Sequence, residues 1–374
     1  LGYRFIYRPV SALSNYSRGL SHIEAERYTL ANERFGRAVR LWPRRTWYYR
    51  YADAFAAKRQ FLLAEQKYDE LLARYPGDRK GILDYARMES RSMSNYEKAD
   101  ALLLQLLDRD IHDYDALLAA GDNYLSWADS DSNRFEDARR AYASLIGTYG
   151  QKDELLFRML RYFIRVDKVD EVMRLKAYYA DRPRVTVDPE AWAEMGGYLA
   201  DKGQGGDRAY LDDVPDVLFR ALKVRPDLPV IHYNLGRYYR MVGDRAEERK
   251  ALARGVLPLL RGDDPLTKQR MTIEIDTHTR LGELDYREKA YLDAGKRLAE
   301  AIRLVEKYQS AGLLRRERIF GTPYADLGDL QYYVEGRLAE ARANYEKAAA
   351  NGWTEPLLDY KVGYIDYATG SWDA

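Results

Sequence analysis

Histidines, paired carboxylates, glycine-rich loops and basic clusters are the features of this chain from which chemistry could be built. The four histidines, His22, His112, His232 and His278, stand far apart, and no pair has metal-ligand spacing. His232 and His278 occupy large-residue positions of helical patterns, where packing is the expected role. The stretch DKGQGGDR at 201–208 resembles a phosphate cradle. It lacks the G-K-[ST] ending of a P-loop and follows no predicted strand, so it reads as an inserted loop. The pairs Asp212-Asp213 and Asp263-Asp264 fall in connectors, as solvated charges or helix caps rather than an acid–base dyad. There is no G-x-S-x-G nucleophile arrangement. RRER at 315–318 is interrupted by Glu317 and flanked by acids. The expectation is a chain that is not an enzyme, with no catalytic residue, no metal ligand, no cofactor and no nucleic-acid partner.

Composition points the same way. Sixty basic and 59 acidic residues leave a net charge of +1, which gives no global attraction to nucleic acid or an anionic membrane. At 46% hydrophobic and 32% charged, the 374 residues suffice for a packed core, in two or three domains or one elongated array. The absence of cysteine removes disulfides, thiolate metal sites and cysteine nucleophiles, and suits reducing and oxidising compartments equally. The longest apolar runs, such as ALLLQLL at 101–107, fall far short of the roughly 18–20 residues that span a bilayer. Membrane contact is therefore expected only through a segment absent from this chain. The chain opens on Leu1, as a cut or processed form would. Its start, LGYRFIYRP, reads either as the exit of a removed anchor or signal or as an extended segment packed on the first helix. Tyrosine is the outlier, with 33 copies against 9 Phe and 6 Trp.

The elements follow from a recurring spacing of four, three and five. It appears at Ala31, Phe35, Ala38 and Pro43, and at Ala64, Tyr68, Leu71 and Pro76. It returns at Ala99, Leu103, Leu106 and Ile111, and at Ala138, Tyr142, Leu145 and Gly150. Val214, Leu218, Ala221 and Pro226 repeat it, then Ala294, Leu298, Ala301 and Glu306, and finally Ala341, Tyr345, Ala348 and Trp353. The first three positions share one helical face, and a breaker follows. About one helix earlier comes a second signature with a small residue at its centre: Ala120-Gly121, Met195-Gly196, Leu235-Gly236, Leu281-Gly282, Leu327-Gly328 and Val362-Gly363. Small residues in both helices let the backbones approach closely. A hairpin of this kind cannot bury its apolar face alone, so it stacks on the next.

With a period of about 33–35 residues, the pattern resembles the tetratricopeptide repeat. The resemblance covers nearly the whole chain. It implies an all-α, right-handed superhelical solenoid of stacked helix-turn-helix repeats, nine complete and a tenth stopping in its second helix. Two copies depart from the pattern, with Val172 and Glu248 at the small position and Arg184 in place of proline. The expected layout is an extended segment at 1–11, repeats one to seven at 12–260, and a connector with repeats eight to ten at 261–374. The connectors at 261–270 and 309–323 are candidates for a bend or a subdomain boundary.

The inner, concave wall of such an array is built from first helices. There the spacing projects Tyr233, Arg237 and Arg240, then Tyr332 and Tyr333, then Tyr360, Tyr364 and Tyr367 as a protein-binding face, or as rings packed between repeats. A carboxylate clamp of the chaperone type is not expected, because its positions in the first units hold Tyr16, Leu20, Asp53 and Asp84, and Asn234 with Arg237 is only a fragment of one. The expected function is a scaffold binding protein partners in a larger complex. The alternative is a cell-envelope module that stacks tyrosines on glycans or assembles an envelope complex; a regulatory domain of a hydrolase is a third. The C-terminal NGWTEPLLDYKVGYIDYATGSWDA resembles the repeat region of spirochaete periplasmic flagellar collar proteins. That resemblance implies a periplasmic location and a scaffold around the flagellar motor. The aromatic final repeat leads to the expectation that the parent chain continues, or that a second copy covers this end.

Overall fold

The computed structural model describes residues 7–180, 188–261 and 267–370. Arg184, the tail from Ser371, and residues 262–266, with the pair Asp263-Asp264, lie outside the described residues. Among those described there are nineteen α-helices and no strand. They are α1 (Arg8–Glu24), α2 (Tyr28–Leu41), α3 (Arg45–Ala57), α4 (Phe61–Arg74), α5 (Arg79–Met88), α6 (Tyr96–Leu107), α7 (Tyr114–Trp127), α8 (Arg134–Tyr149), α9 (Asp153–Arg165) and α10 (Val169–Ala180). Then come α11 (Pro189–Gln204), α12 (Val214–Val224), α13 (Pro229–Val242), α14 (Arg245–Lys250), α15 (Lys268–Arg287), α16 (Tyr291–Ser310), α17 (Arg318–Leu330), α18 (Leu338–Ala350) and α19 (Leu358–Thr369). Consecutive helices pair as hairpins, α1 with α2 through α7 with α8, and α11 with α12 through α17 with α18. This is an all-α stack of helix-turn-helix repeats, as the spacing requires.

Two compact units divide at Tyr178 and Tyr179. The division falls inside α10, ahead of both connectors expected to carry a boundary. The first helix begins at Arg8 with Pro9 in its first turn, so residues 8–11 of the segment expected to be extended are helical. Proline costs nothing there, because a first-turn N–H has no partner within the helix.

Packing explains the spacing. The alanines at the small position (Ala31, Ala64, Ala99, Ala138, Ala294 and Ala341) are fully buried, and so is Val172 of the irregular copy. Phe35, Tyr142, Leu218, Leu298 and Tyr345, four residues later, are buried as well. The first-helix glycines sit directly against these large residues. A methyl group on Gly121 would lie 2.5 Å from the ring of Tyr142, and one on Gly328 2.7 Å from that of Tyr345. Gly363, expected to pack in the same way, has open space around it among the described residues. The fourth position varies: Ile111 is exposed, whereas Trp353 is part-buried against the core.

Two repeats carry one residue too many. The first-helix small residue precedes the second-helix one by twelve positions at Ala52 and Ala64, and at Gly282 and Ala294. The interval is thirteen at Ala86 and Ala99, and at Gly328 and Ala341. In both, the extra residue is absorbed by a π-helical turn, at Glu89–Met93 and Gln331–Glu335. Gly336 then closes the second turn at φ 68°, a left-handed conformation that glycine adopts without strain.

Polar links join successive repeats at close to one period. Arg79 on α5 pairs with Asp113 at 2.7 Å and Arg249 on α14 with Asp285 at 2.7 Å, while within one hairpin Tyr308 on α16 donates to Glu274 of α15 at 2.7 Å. A recurrent node is the aspartate just after the first-helix small residue. Asp122 accepts from Tyr142 at 2.9 Å and from Arg158 of the following repeat at 3.0 Å. Asp329 accepts from Tyr345 at 2.6 Å and from Lys361 of α19 at 2.7 Å. These nodes give Tyr142 and Tyr345 their role. The ring fills the hairpin while the hydroxyl reaches a carboxylate.

Candidate protein-binding face

The first helices of the second unit bring the expected face together in two parts. On α13, Tyr233 is half-buried and donates to Asp276 of α15 at 2.7 Å. Burial, then the charge of Asp276, pushes its hydroxyl pKa well up, so it stays a neutral donor. Arg237 pairs with Asp201 of α11 and donates to Asn234 at 3.3 Å. Asn234 is itself buried and donates to the carbonyl of Ala193 at 2.9 Å. Tyr233 and Arg237 therefore join repeats together, whereas Arg240 is exposed.

The second part is aromatic. Tyr332 meets Tyr333 edge-on, with ring centres 4.7 Å apart, and meets Tyr364 of α19 at 6.0 Å. Tyr360 and Tyr367 lie one helical turn on either side of Tyr364. Tyr333 is 58% exposed, Tyr360 69%, Tyr364 47% and Tyr367 66%. Lys361 sits 5.5 Å over the ring of Tyr333, within cation–π range. The π turn at Gln331–Glu335 contributes to this arrangement: it buries Gln331 and leaves Tyr333 outward. Its sequence signal is the thirteen-residue interval.

Sequence spacing missed the charges between these two parts. Glu248, at the position where alanine is the rule, is buried and pairs at 3.3 Å with Arg280 of α15, also buried. Arg280 is held by Glu283 as well. Burial pushes the Glu248 carboxyl up, against the pull of Arg280. Asp326 of α17 completes the cluster. The signal available was Glu248 itself, a charge where the repeat demands a small residue.

The positions weighed for chemistry have structural uses. His232 contacts the carbonyl of Pro226 at 2.8 Å, and Gly255 packs on its ring. His278 is largely buried, which pushes its pKa down. In the glycine-rich run, DKGQ ends α11, Gly203 packs on Leu211, and Asp207 caps the short 3-10 helix Arg208–Asp213. Glu317 of RRER pairs with Lys268 at 2.7 Å. Among the described residues no group of three or more His, Asp or Glu could hold a metal, and no helix is long and apolar enough to cross a membrane. At the clamp positions, Tyr16 stacks on Trp47 at 4.6 Å and burial raises the Asp53 carboxyl.

Hairpin stacking, small-residue contacts and period together define a tetratricopeptide-like helical repeat fold. No family model matches the chain, and no curated protein matches it. Among solved structures, it is similar to PilW, described as a widely conserved type IV pilus biogenesis factor. The identity is 17%, over 58% of this chain and 94% of that one, with a TM-score of 0.44. A human IFIT1 dimer solved with m7Gppp-AAAA is similar at 11% identity, over 92% of this chain and 77% of that one, with a TM-score of 0.47. A tetratricopeptide repeat protein from Parabacteroides merdae is similar at 11% identity, over 86% and 98%, with a TM-score of 0.35. None of these comparisons supports the likeness to flagellar collar proteins.

Proposed function

We propose that the chain is a non-enzymatic scaffold that docks a protein partner on the first-helix face of its second unit. The observation that carries this is the cluster of Tyr332, Tyr333, Tyr360, Tyr364 and Tyr367. Tyrosines elsewhere, such as Tyr142 and Tyr345, are buried with their hydroxyls on carboxylates. Tyr333, Tyr360, Tyr364 and Tyr367 of the cluster instead offer ring faces and edges to solvent, with part-buried Tyr332 beneath them. Exposed, pre-packed tyrosines bury large area at small entropic cost when a partner docks, which is why they are enriched at binding hot spots.

Replacing Tyr332, Tyr333 and Tyr364 together by alanine tests this. Association with the native partner is expected to weaken by about tenfold or more, while the melting temperature changes little. A collapsed melt with unchanged affinity per folded molecule would make these rings core. A scaffold of a periplasmic flagellar motor collar is the narrower form of the proposal, and it follows the C-terminal resemblance alone. Fractionation of the native cell tests it: a cytoplasmic protein removes the collar and leaves the scaffold. Retention on a glycan panel through the same tyrosines, with no protein partner, would favour the envelope module instead.

A further inference from the structure

The outward faces of α1 and α19 match in spacing and in charge. On α19, Lys361 and Ile365 are buried against the array, and Asp359, Gly363 and Tyr367 stand on the opposite side at intervals of four. Gly363 has open space around it, whereas Gly121 and Gly328 at the same position of their repeats are covered by tyrosines. On α1, Ala12, Gly19 and Ile23 are buried, and Val10, Ser14 and Arg18 stand outward, again at intervals of four. With Arg34 of α2, these three line an open groove. Arg18 and Asp359 are exposed, and neither has an ion pair among the described residues. Between residues 8 and 41 lie six arginines and three glutamates, whereas between 351 and 370 one lysine stands against three acids.

Resting on the scaffold reading of the tyrosine cluster, we infer that one protein it docks is a second copy of this chain, with α19 of one copy lying antiparallel along α1 of the other. In that direction a single register satisfies all three positions. Asp359 meets Arg18, Gly363 meets Ser14 and Tyr367 meets Val10, each step being four residues, about 6 Å, on both helices. The small pair at the centre lets the two backbones approach, as Gly121 and Gly328 do inside the repeats. Tyr367 and Val10, 66% and 63% exposed, bury apolar area against each other. Arg18 and Asp359 each gain a partner of opposite charge. A parallel arrangement sets Arg18 beside Tyr367 and Asp359 beside Val10, and leaves both charges unmatched. The excess of arginine on the first hairpin also steers the acidic α19 onto it.

Sedimentation velocity of the whole chain over a wide range of concentrations tests the contact. Association is expected to rise with concentration and to fall with added salt. Arg18→Glu and Asp359→Arg alter exposed side chains, so the fold is retained, and each alone should weaken association by about tenfold or more through like-charge contact. Mixing the two variants should restore it, because the native Asp359 of one then meets the native Arg18 of the other. Gly363→Leu should weaken it as well, with an unchanged melting temperature, since nothing packs on that glycine within the chain's described residues. A parent that stays monomeric at every concentration, single variants that associate as the parent does, or a mixture that stays monomeric would each overturn the contact. If the parent is monomeric while the triple tyrosine variant loses a different native partner, the second copy is wrong and the scaffold stands. If the triple variant keeps every association of the parent, the scaffold reading itself is wrong.

Discussion

Tyr345 is buried and donates to Asp329 at 2.6 Å, whereas Tyr364 is half-exposed and meets the edge of Tyr332. The same residue type thus serves the core in one repeat and offers a ring to solvent in the next. Removing the hydroxyl separates the two roles. Tyr345→Phe is expected to cost about 1–2 kcal/mol, because Asp329 loses a donor in a part-buried site, and Tyr364→Phe almost nothing. Denaturant unfolding of both variants checks this, and equal losses would contradict it. The burial of Asp326 has a consequence for stability as well. Its carboxyl is raised from 3.8 to about 8, so the folded chain holds a proton that the unfolded chain releases between those values. Its contribution is complete at the acid end and is lost as pH rises, by up to about 1.4 kcal/mol per pH unit. Asp326→Asn should therefore match the parent below about pH 3.8 and exceed it by a growing margin up to about pH 8. A constant offset in melting temperature across that range would contradict the assignment.

At the scale of the element, the spacing of small and large residues located the hairpins. Every alanine it marked, from Ala31 to Ala341, is buried, and the first-helix glycines at the small position, from Gly121 to Gly328, meet second-helix Tyr or Leu side chains. Enlarging Ala64 or Ala341 to Leu should cost about 1–3 kcal/mol by overpacking, read from thermal melts. Melts unchanged by both substitutions would contradict the close crossing. Polar structure was far less legible. Tyr233 and Arg237 have the types and spacing of a binding face, yet both are engaged by Asp276 and Asp201. Which rotamer reaches across to the next repeat depends on the stacking itself, and periodicity does not encode it. Asp326 escaped notice for the same reason, because nothing in its local sequence marks a carboxyl without a donor. Two π turns did leave a trace, the thirteen-residue interval at Ala86 to Ala99 and Gly328 to Ala341. A third, at Ala251–Val256, follows the ordinary twelve-residue interval from Gly236 to Glu248.

At the scale of the molecule, each unit is a stack whose repeats are joined by small-residue packing and by ion pairs set nearly one period apart. Such stacking makes the first helices a stiff support, so a partner meets side chains already in place. The most direct test is site-specific photo-crosslinking in the native cell, with a benzophenone side chain placed singly at Tyr333, Tyr364, Leu62 and Leu292. The two leucines are exposed on second helices, α4 and α16. A protein-docking first-helix face predicts one and the same protein adduct from Tyr333 and Tyr364, and none from Leu62 or Leu292. Adducts of equal yield from all four positions, or adducts from the leucines alone, would contradict it.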